Sequence, residues 1–170
     1  RVLEGMLARD PQDLAAHAQY NGLLYRLGRA DFLSSFDRAP QTPDIRLAKP
    51  SLLIKQNRSD EALRIYFDLS AQEPDNVDYL TGLGICLSME KRFGEAVGVF
   101  DRAIAGAPDS VHLLGHAANT LISHGDPERA AALAQQGHAR APNDQICLAL
   151  LGTAWRMMSD ERDETLNGYD

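Results

Sequence analysis

The stretch VDYLTGLGICLSMEKRFGEAVGVFDRAIAGAP, residues 77–108, holds one complete unit of the fold. Leu80, Leu83, Ile85 and Leu87 supply a helical apolar face with Gly84 in its middle. After the turn Lys91-Arg92-Phe93-Gly94, Ala96, Val97, Phe100, Ala103 and Ile104 supply a second. Spacings of three and four predict amphipathic helices and not strands. Asp75 and Asn76 stand where an N-cap is wanted. Pro108 cannot continue the second helix. Gly84 and Ala96 are small enough for the two helices to cross closely, and Phe100 is placed to fill the volume beside them.

The same punctuation recurs along the chain. Pro74, Pro108 and Pro142 are 34 residues apart in both steps, each followed by Asp or Asn, and Pro40 extends the phase backwards. The preceding period keeps Leu53, Ala62, Tyr66 and Pro74, with Pro50 in the slot of Gly84. The following one keeps Leu114, Leu121, Ala130 and Pro142, with Ala117-Ala118 for Leu83-Gly84 and Ala134 for Phe100. Gly125 and then Asp126-Pro127 mark its turn. Leu148, Leu151-Gly152 and Trp155 open a further copy, and Trp155, which aligns with Leu87 and Leu121, is expected in the core. Upstream, Leu14 to Leu27 reads as a helix, Gly28 as a turn and Asp31 to Arg38 as a shortened second helix; Val2 to Ala8 reads as a helix tail. This gives about four helix pairs with half a pair at each end. A pair this short cannot bury both faces alone and must stack on its neighbours.

Leu80, Leu83-Gly84, Leu87, Ala96, Phe100, Ala103 and Pro108 resemble the tetratricopeptide repeat pattern nearly slot for slot. The resemblance implies an all-α, right-handed superhelical solenoid of antiparallel helix pairs over residues 1–158, with 159–170 as a tail or junction. It also implies that the first helix of each pair lines a concave groove. By register the groove residues are Leu47, Ala48, Ser51, Ile54 and Lys55, then Asp78, Thr81, Gly82, Ile85 and Met89. The series continues with His112, Gly115, His116, Asn119 and Ile122, then Ile146, Ala149, Leu150, Thr153 and Met157. Some members of the family grip a peptide's terminal carboxylate with Lys, Asn and Arg on this face. Leu47, Ser51, Gly82, His112 and His116 occupy those slots, which argues against a carboxylate-gripping co-chaperone. What remains is an apolar groove with a few hydrogen-bonding positions, suited to a protein or peptide partner. Apolar side chains of the partner are expected against Ile54, Ile85, Met89 and Ile122, and its backbone against Asn119 and Thr81.

The candidate chemistry is sparse, and neither catalytic residues nor a cofactor is expected within 1–170. His112 and His116 share a helical face at ligand spacing, but with no further ligand in a matching pattern they read as groove lining and not as a metal site. His124-Gly125-Asp126 reads as a turn. Ser34-Ser35 carries hydroxyls with no evident base. Cys86 and Cys147 match neither metal nor redox spacing and read as buried thiols of a reducing, cytoplasmic setting. The tail from Trp155-Arg156 through Leu166-Asn167-Gly168-Tyr169-Asp170 is similar to junctions in bacterial proteins where such repeats precede an Fe(II)/2-oxoglutarate oxygenase domain. That similarity implies a second role, as the substrate-recognition arm of such an enzyme. The acidic cluster Asp160 to Glu164 reads as a solvated helix face.

Composition narrows the classes. Across 170 residues, 17 Lys and Arg stand against 24 Asp and Glu, a net charge of −7, with 44% apolar residues. That excess of acid argues against nucleic acid as a partner, since phosphate binding wants a basic face. No apolar run approaches the ~20 residues of a membrane span. The apolar content is too high for a disordered chain. Exposed faces at the repeat ends are expected to allow stacking of a second copy.

Overall fold

Each turn between the two helices of a pair is closed by one residue in the left-handed region. Asn57, Lys91 and Gly125 have φ of 57°, 60° and 84°, and they recur at the repeat interval; Gly28, at 68°, does the same in the first pair. The N-caps recur as well. Asp13, Thr42, Asn76, Ser110 and Asp126 each accept a backbone N–H of the helix they open. Each such cap satisfies one of the donors that a helix start leaves bare.

The computed structural model describes residues 2–167, with side chains as far as residue 162. Residues 168–170, and the side chains from 163 onward, lie outside the described residues, and with them the end of the Leu-Asn-Gly-Tyr-Asp tail. The described residues form ten helices and no strand. They are α1 (Val2–Arg9), α2 (Leu14–Arg26), α3 (Ser34–Arg38), α4 (Pro43–Lys55), α5 (Ser59–Gln72), α6 (Val77–Met89), α7 (Phe93–Gly106), α8 (Val111–His124), α9 (Pro127–Arg140) and α10 (Gln145–Asn167). The expected pairing is seen for α2/α3, α6/α7 and α8/α9. The expected second helix of the first pair starts three residues late, at Ser34. The position expected to end the array, 158, lies within α10, which continues helical to Asn167.

The chain divides into two units, Arg1–Ile65 and Tyr66–Asp170. In the first, Phe36, Ala39 and Ile45 form a small core flanked by Leu33, Ala48 and Leu52. His17 stacks on Phe36 at 5.2 Å, and the Arg58 guanidinium lies 4.6 Å above the Phe32 ring. Pro50 is buried inside α4 and removes one internal N–H from that helix.

In the second unit α6 pairs with α7 and α8 with α9, and α10 packs on both α8 and α9. Phe100 of α7 lies on Gly84 of α6, where an added Cβ would come within 2.7 Å of the ring. Gly137 of α9 is closed in the same way by the Cys147 sulfur of α10, at 2.6 Å. Ala118, Leu121, Ala130, Ala131, Ala134, Leu151 and Ala154 make a continuous core across α8, α9 and α10. Polar ties repeat with the sequence. Arg102 Nη2 donates to the Pro74 carbonyl at 2.7 Å, and Gln136 Nε2 donates to the Pro108 carbonyl at 3.0 Å, both across 28 residues.

One expectation about the core is overturned. Trp155 is 57% exposed, not buried. Leu80 and Leu114, at the register of Leu148, are buried, whereas Leu148 on α10 is 52% exposed and Gly152 faces open space where a side chain would begin. No described helix lies on that face of α10.

The Gly84 contact predicts a pair of opposite effects. Gly84→Leu should destabilise the fold by roughly 1–3 kcal/mol through overpacking against Phe100. Gly98→Ala, in the open on α7 with nothing within 4 Å, should stabilise it by roughly 0.5–1 kcal/mol through helix propensity. Urea denaturation of the two variants measures both; equal midpoints would refute the close crossing.

Candidate functional site

The first helices of successive pairs in the second unit present equivalent rows. Asp78, His112 and Ile146 share one register position; Thr81, Gly115 and Ala149 share the next; Ile85, Asn119 and Thr153 share a third. Helices α6 and α8 are joined by a bond between Ser88 and Thr120 at 2.6 Å. Thr120 Oγ1 already donates to the His116 carbonyl at 2.9 Å, so the Ser88 hydroxyl is the donor between the two side chains.

Between α8 and α10 the rows open into a cleft of about 530 Å³. Val111, His112, Gly115, His116 and Asn119 form one wall, and Ile146, Cys147 and Leu150 form the other, with Ala141 and Asp144 at the connecting turn. Gly115 makes the cleft deep, because only Cys147 and Ile146 come near the place of its missing Cβ, at 3.9 and 4.0 Å. Asp144 Oδ1 accepts the Cys147 N–H at 2.9 Å and so fixes the start of α10. His112 and His116 meet in this cleft with their Nε2 atoms 3.1 Å apart and their rings edge to face at 76°. The His116 pKa is lowered, first because burial penalises the charged ring and then because His112 sits beside it.

The expected groove residues divide into three groups. His112, His116 and Asn119 are brought together in the cleft. Asp78, Thr81, Ile85 and Met89 form a stripe on α6, and Ile122 is half-buried against the Ala118–Leu121 core. Leu47, Ser51 and Ile54 are half-buried on α4, in the first unit. Gly82 is no groove position: the Tyr66 ring covers it where a side chain would begin, and it is fully enclosed. Thr81 Oγ1 donates to the Val77 carbonyl at 2.7 Å, so it can offer a ligand only an acceptor. Asp144 and Ala141 were missed by helical periodicity because they stand on the inter-repeat turn. The capping pattern Pro142-Asn143-Asp144 was the signal for Asp144.

In the first unit Ser35 belongs to a buried network: its Oγ lies 2.9 Å from His17 Nδ1 and donates to Asn21 Oδ1 at 2.8 Å. His17 Nε2 donates to the Pro11 carbonyl at 3.0 Å. Ser35 is 4% exposed, and the network ties α2 to α3 and to the turn before α2. The two cysteines are buried and free, as read. Burial, aided by Glu90, pushes the Cys86 thiol up to about 12, so it stays protonated. His124-Gly125-Asp126 is the expected turn, with Asp126 capping α9.

Two family models, each described as tetratricopeptide repeat, match residues 47–111 and 87–153. The chain belongs to the tetratricopeptide repeat family. Solved structures of the same fold are similar at low identity. The first TPR domain of the human RPAP3 protein superposes with a TM-score of 0.66 at 17% identity, over 70% of this chain and 94% of that one. YrrB, a TPR protein with an unusual peptide-binding site, gives 0.63 at 16%, over 86% and 78%. PcrH in complex with the chaperone-binding region of PopD gives 0.57 at 19%, over 72% and 92%. No curated protein sequence matches. Among the described residues of this repeat array no helix is long and apolar enough to cross a membrane.

The lowered His116 pKa fixes the sign of a pH effect. The unfolded chain binds a proton there at higher pH than the folded one, so His116 contributes stability above about pH 6.5, lost as pH falls below it. His112 and Asp144 face the same cleft and are retained in both chains. Between pH 7.5 and 5.5 the thermal midpoint should fall less in His116→Gln than in the parent chain, as calorimetry would read. An equal fall would show that the ring is not desolvated.

Proposed function

We propose that the chain is a protein-interaction module that holds a segment of another protein along α6, α8 and α10. The observation that carries this reading is the cleft between α8 and α10, continuous in register with the α6 stripe. Its walls are apolar or small, apart from two imidazoles, Asn119 and Asp144. Ile146 is 66% exposed and Met89 38% exposed, so apolar surface is available on both sides of α8. Burying two or three apolar side chains of a ligand there contributes about 1.5–3 kcal/mol each, before the cost of ordering the ligand. Asn119 supplies both donor and acceptor to a passing backbone.

Several neighbours support the reading by their own ligands. PcrH holds the chaperone-binding region of PopD. The first TPR of Spaghetti (RPAP3), with a TM-score of 0.64 at 17% identity over 68% of this chain and 91% of that one, is bound to the HSP90 peptide SRMEEVD. The groove positions on α6, α8 and α10 carry Asp78 and neither Lys nor Arg, and Asp144 stands at the adjoining turn, so they favour apolar over acidic segments. The ligand would lie on Ile85, Met89 and Ile122. The tail's similarity to oxygenase junctions gives the same surface a substrate-recognition role within a larger enzyme.

Panning a random peptide library against the chain and titrating the selected peptides by calorimetry tests the proposal. The selected peptides should be apolar, and Ile85→Glu or Asn119→Ala should lower their affinity about tenfold or more, roughly 1.4 kcal/mol, with the thermal midpoint little moved. Peptides that bind both variants like the parent chain would place the interaction surface elsewhere.

A further inference from the structure

We propose that His112 and His116 form a two-imidazole chelate for a divalent transition-metal ion at the mouth of the α8–α10 cleft. The inference goes beyond peptide binding and does not depend on it. The pair stands four residues apart on one face of α8, the spacing at which two imidazoles on a helix reach a common ion. Their Nε2 atoms are 3.1 Å apart. Two nitrogens bound to one ion at about 2.0–2.1 Å stand about 2.9–3.4 Å apart for bond angles between square and tetrahedral, so the observed separation needs no movement of α8. The rings meet edge to face, with centroids 4.4 Å apart, so their faces are not stacked on one another.

The electrostatics point to a cation and not to an anion. Burial in the cleft and the presence of His112 both disfavour protonation of His116 and favour its neutral ring. In that state one Nε2–H donates to the other Nε2. Binding a metal through both Nε2 atoms moves that proton to the ring's Nδ1 and releases none to solvent. Asp144 lines the same cleft, and its carboxylate adds negative charge there while Oδ1 caps α10. Imidazole nitrogen suits Zn²⁺, Ni²⁺ and Cu²⁺, whereas Mg²⁺ and Ca²⁺ take oxygen ligands. Among the described residues no three His, Cys, Asp or Glu side chains converge on one point. The ion therefore keeps open positions, which water or a donor group of a bound segment fills.

The test is a calorimetric titration of the full chain with Zn²⁺ alone, and separately with Ni²⁺ and Mg²⁺, near pH 7.5. One ion of Zn²⁺ or Ni²⁺ per chain is expected, with no heat from Mg²⁺. His112→Ala and His116→Ala should each weaken Zn²⁺ binding roughly tenfold or more, while His124→Ala leaves it unchanged. His112 is exposed, so His112→Ala keeps the fold; its thermal midpoint without metal verifies this. Cu²⁺ absorption gives a second readout, with nitrogen-ligand bands that are lost in the double variant. Affinity equal in the parent and the double His variant would overturn the proposal. So would affinity lost in Cys147→Ser and kept in His112→Ala.

Discussion

Phe100 rests on the bare backbone of Gly84, and Tyr66 rests on that of Gly82. At these crossings a ring takes the place of a side chain on the facing helix. The rings bring α6 close to its neighbours on two sides and fill the space that close approach would leave empty. Cores are packed to crystal-like density, so a contact of this kind tolerates neither a larger residue opposite nor a smaller ring. Cys147 repeats the arrangement on Gly137 with sulfur in place of a ring. The remaining features of the second unit follow from these crossings. Once α6 is close to α7, and α9 to α10, the leucines at 80, 83, 87, 114 and 121 have no exit to solvent.

The turns need less packing and more local chemistry. A left-handed residue at Asn57, Lys91 and Gly125 reverses the chain after the first helix of a pair, and an Asx or hydroxyl cap starts many of the helices. Only Gly125 takes the left-handed conformation without steric cost; Lys91 takes it against an unfavourable Cβ contact of about 1–2 kcal/mol. The α6–α7 turn is thus held by the packing of its helices, whereas the α8–α9 turn is encoded where it stands. The carbonyls of Pro74 and Pro108, which end no helix hydrogen-bond pattern of their own, are taken up by Arg102 and Gln136. The repeat interval therefore appears in backbone conformation, in capping and in long-range hydrogen bonds at once.

That redundancy is why the fold was legible in the sequence. Pro74, Pro108 and Pro142, with the caps after them, each report a local event that a single residue decides. The errors concern events that a neighbour decides. Trp155 has the register of Leu87 and Leu121, but burial at that register depends on a second helix lying over it, and no described helix covers α10 there. Gly82 has the register of His116, but Tyr66 reaches forward from α5 to close it. His17 and Ser35 are 18 residues apart, on helices outside the regular phase, so no period links them. The candidate site was legible as a set of rows and not as a cleft, because the turn residue Asp144 and the core-facing Cys147 complete its lining.

The same division explains where chemistry is free to vary. At the packing register the three successive first helices carry Leu80, Leu114 and Leu148, one residue type throughout, buried in the first two and exposed on α10 where no described helix covers it. At the neighbouring registers they carry Asp78, His112 and Ile146, then Ile85, Asn119 and Thr153: an acid, an imidazole and an alkyl chain, then an alkyl chain, an amide and a hydroxyl. Nothing in the stacking of helices constrains these positions, so each can be set by what the surface meets. A ligand lying across α6, α8 and α10 would cross acid, imidazole and hydrocarbon in a fixed order about one helix diameter apart. Discrimination then comes from matching that order, a demand that a uniformly apolar face of the same area could not make. The imidazole pair is the sharpest element of the order, because its two nitrogens lie 3.1 Å apart where the other rows offer separate contacts.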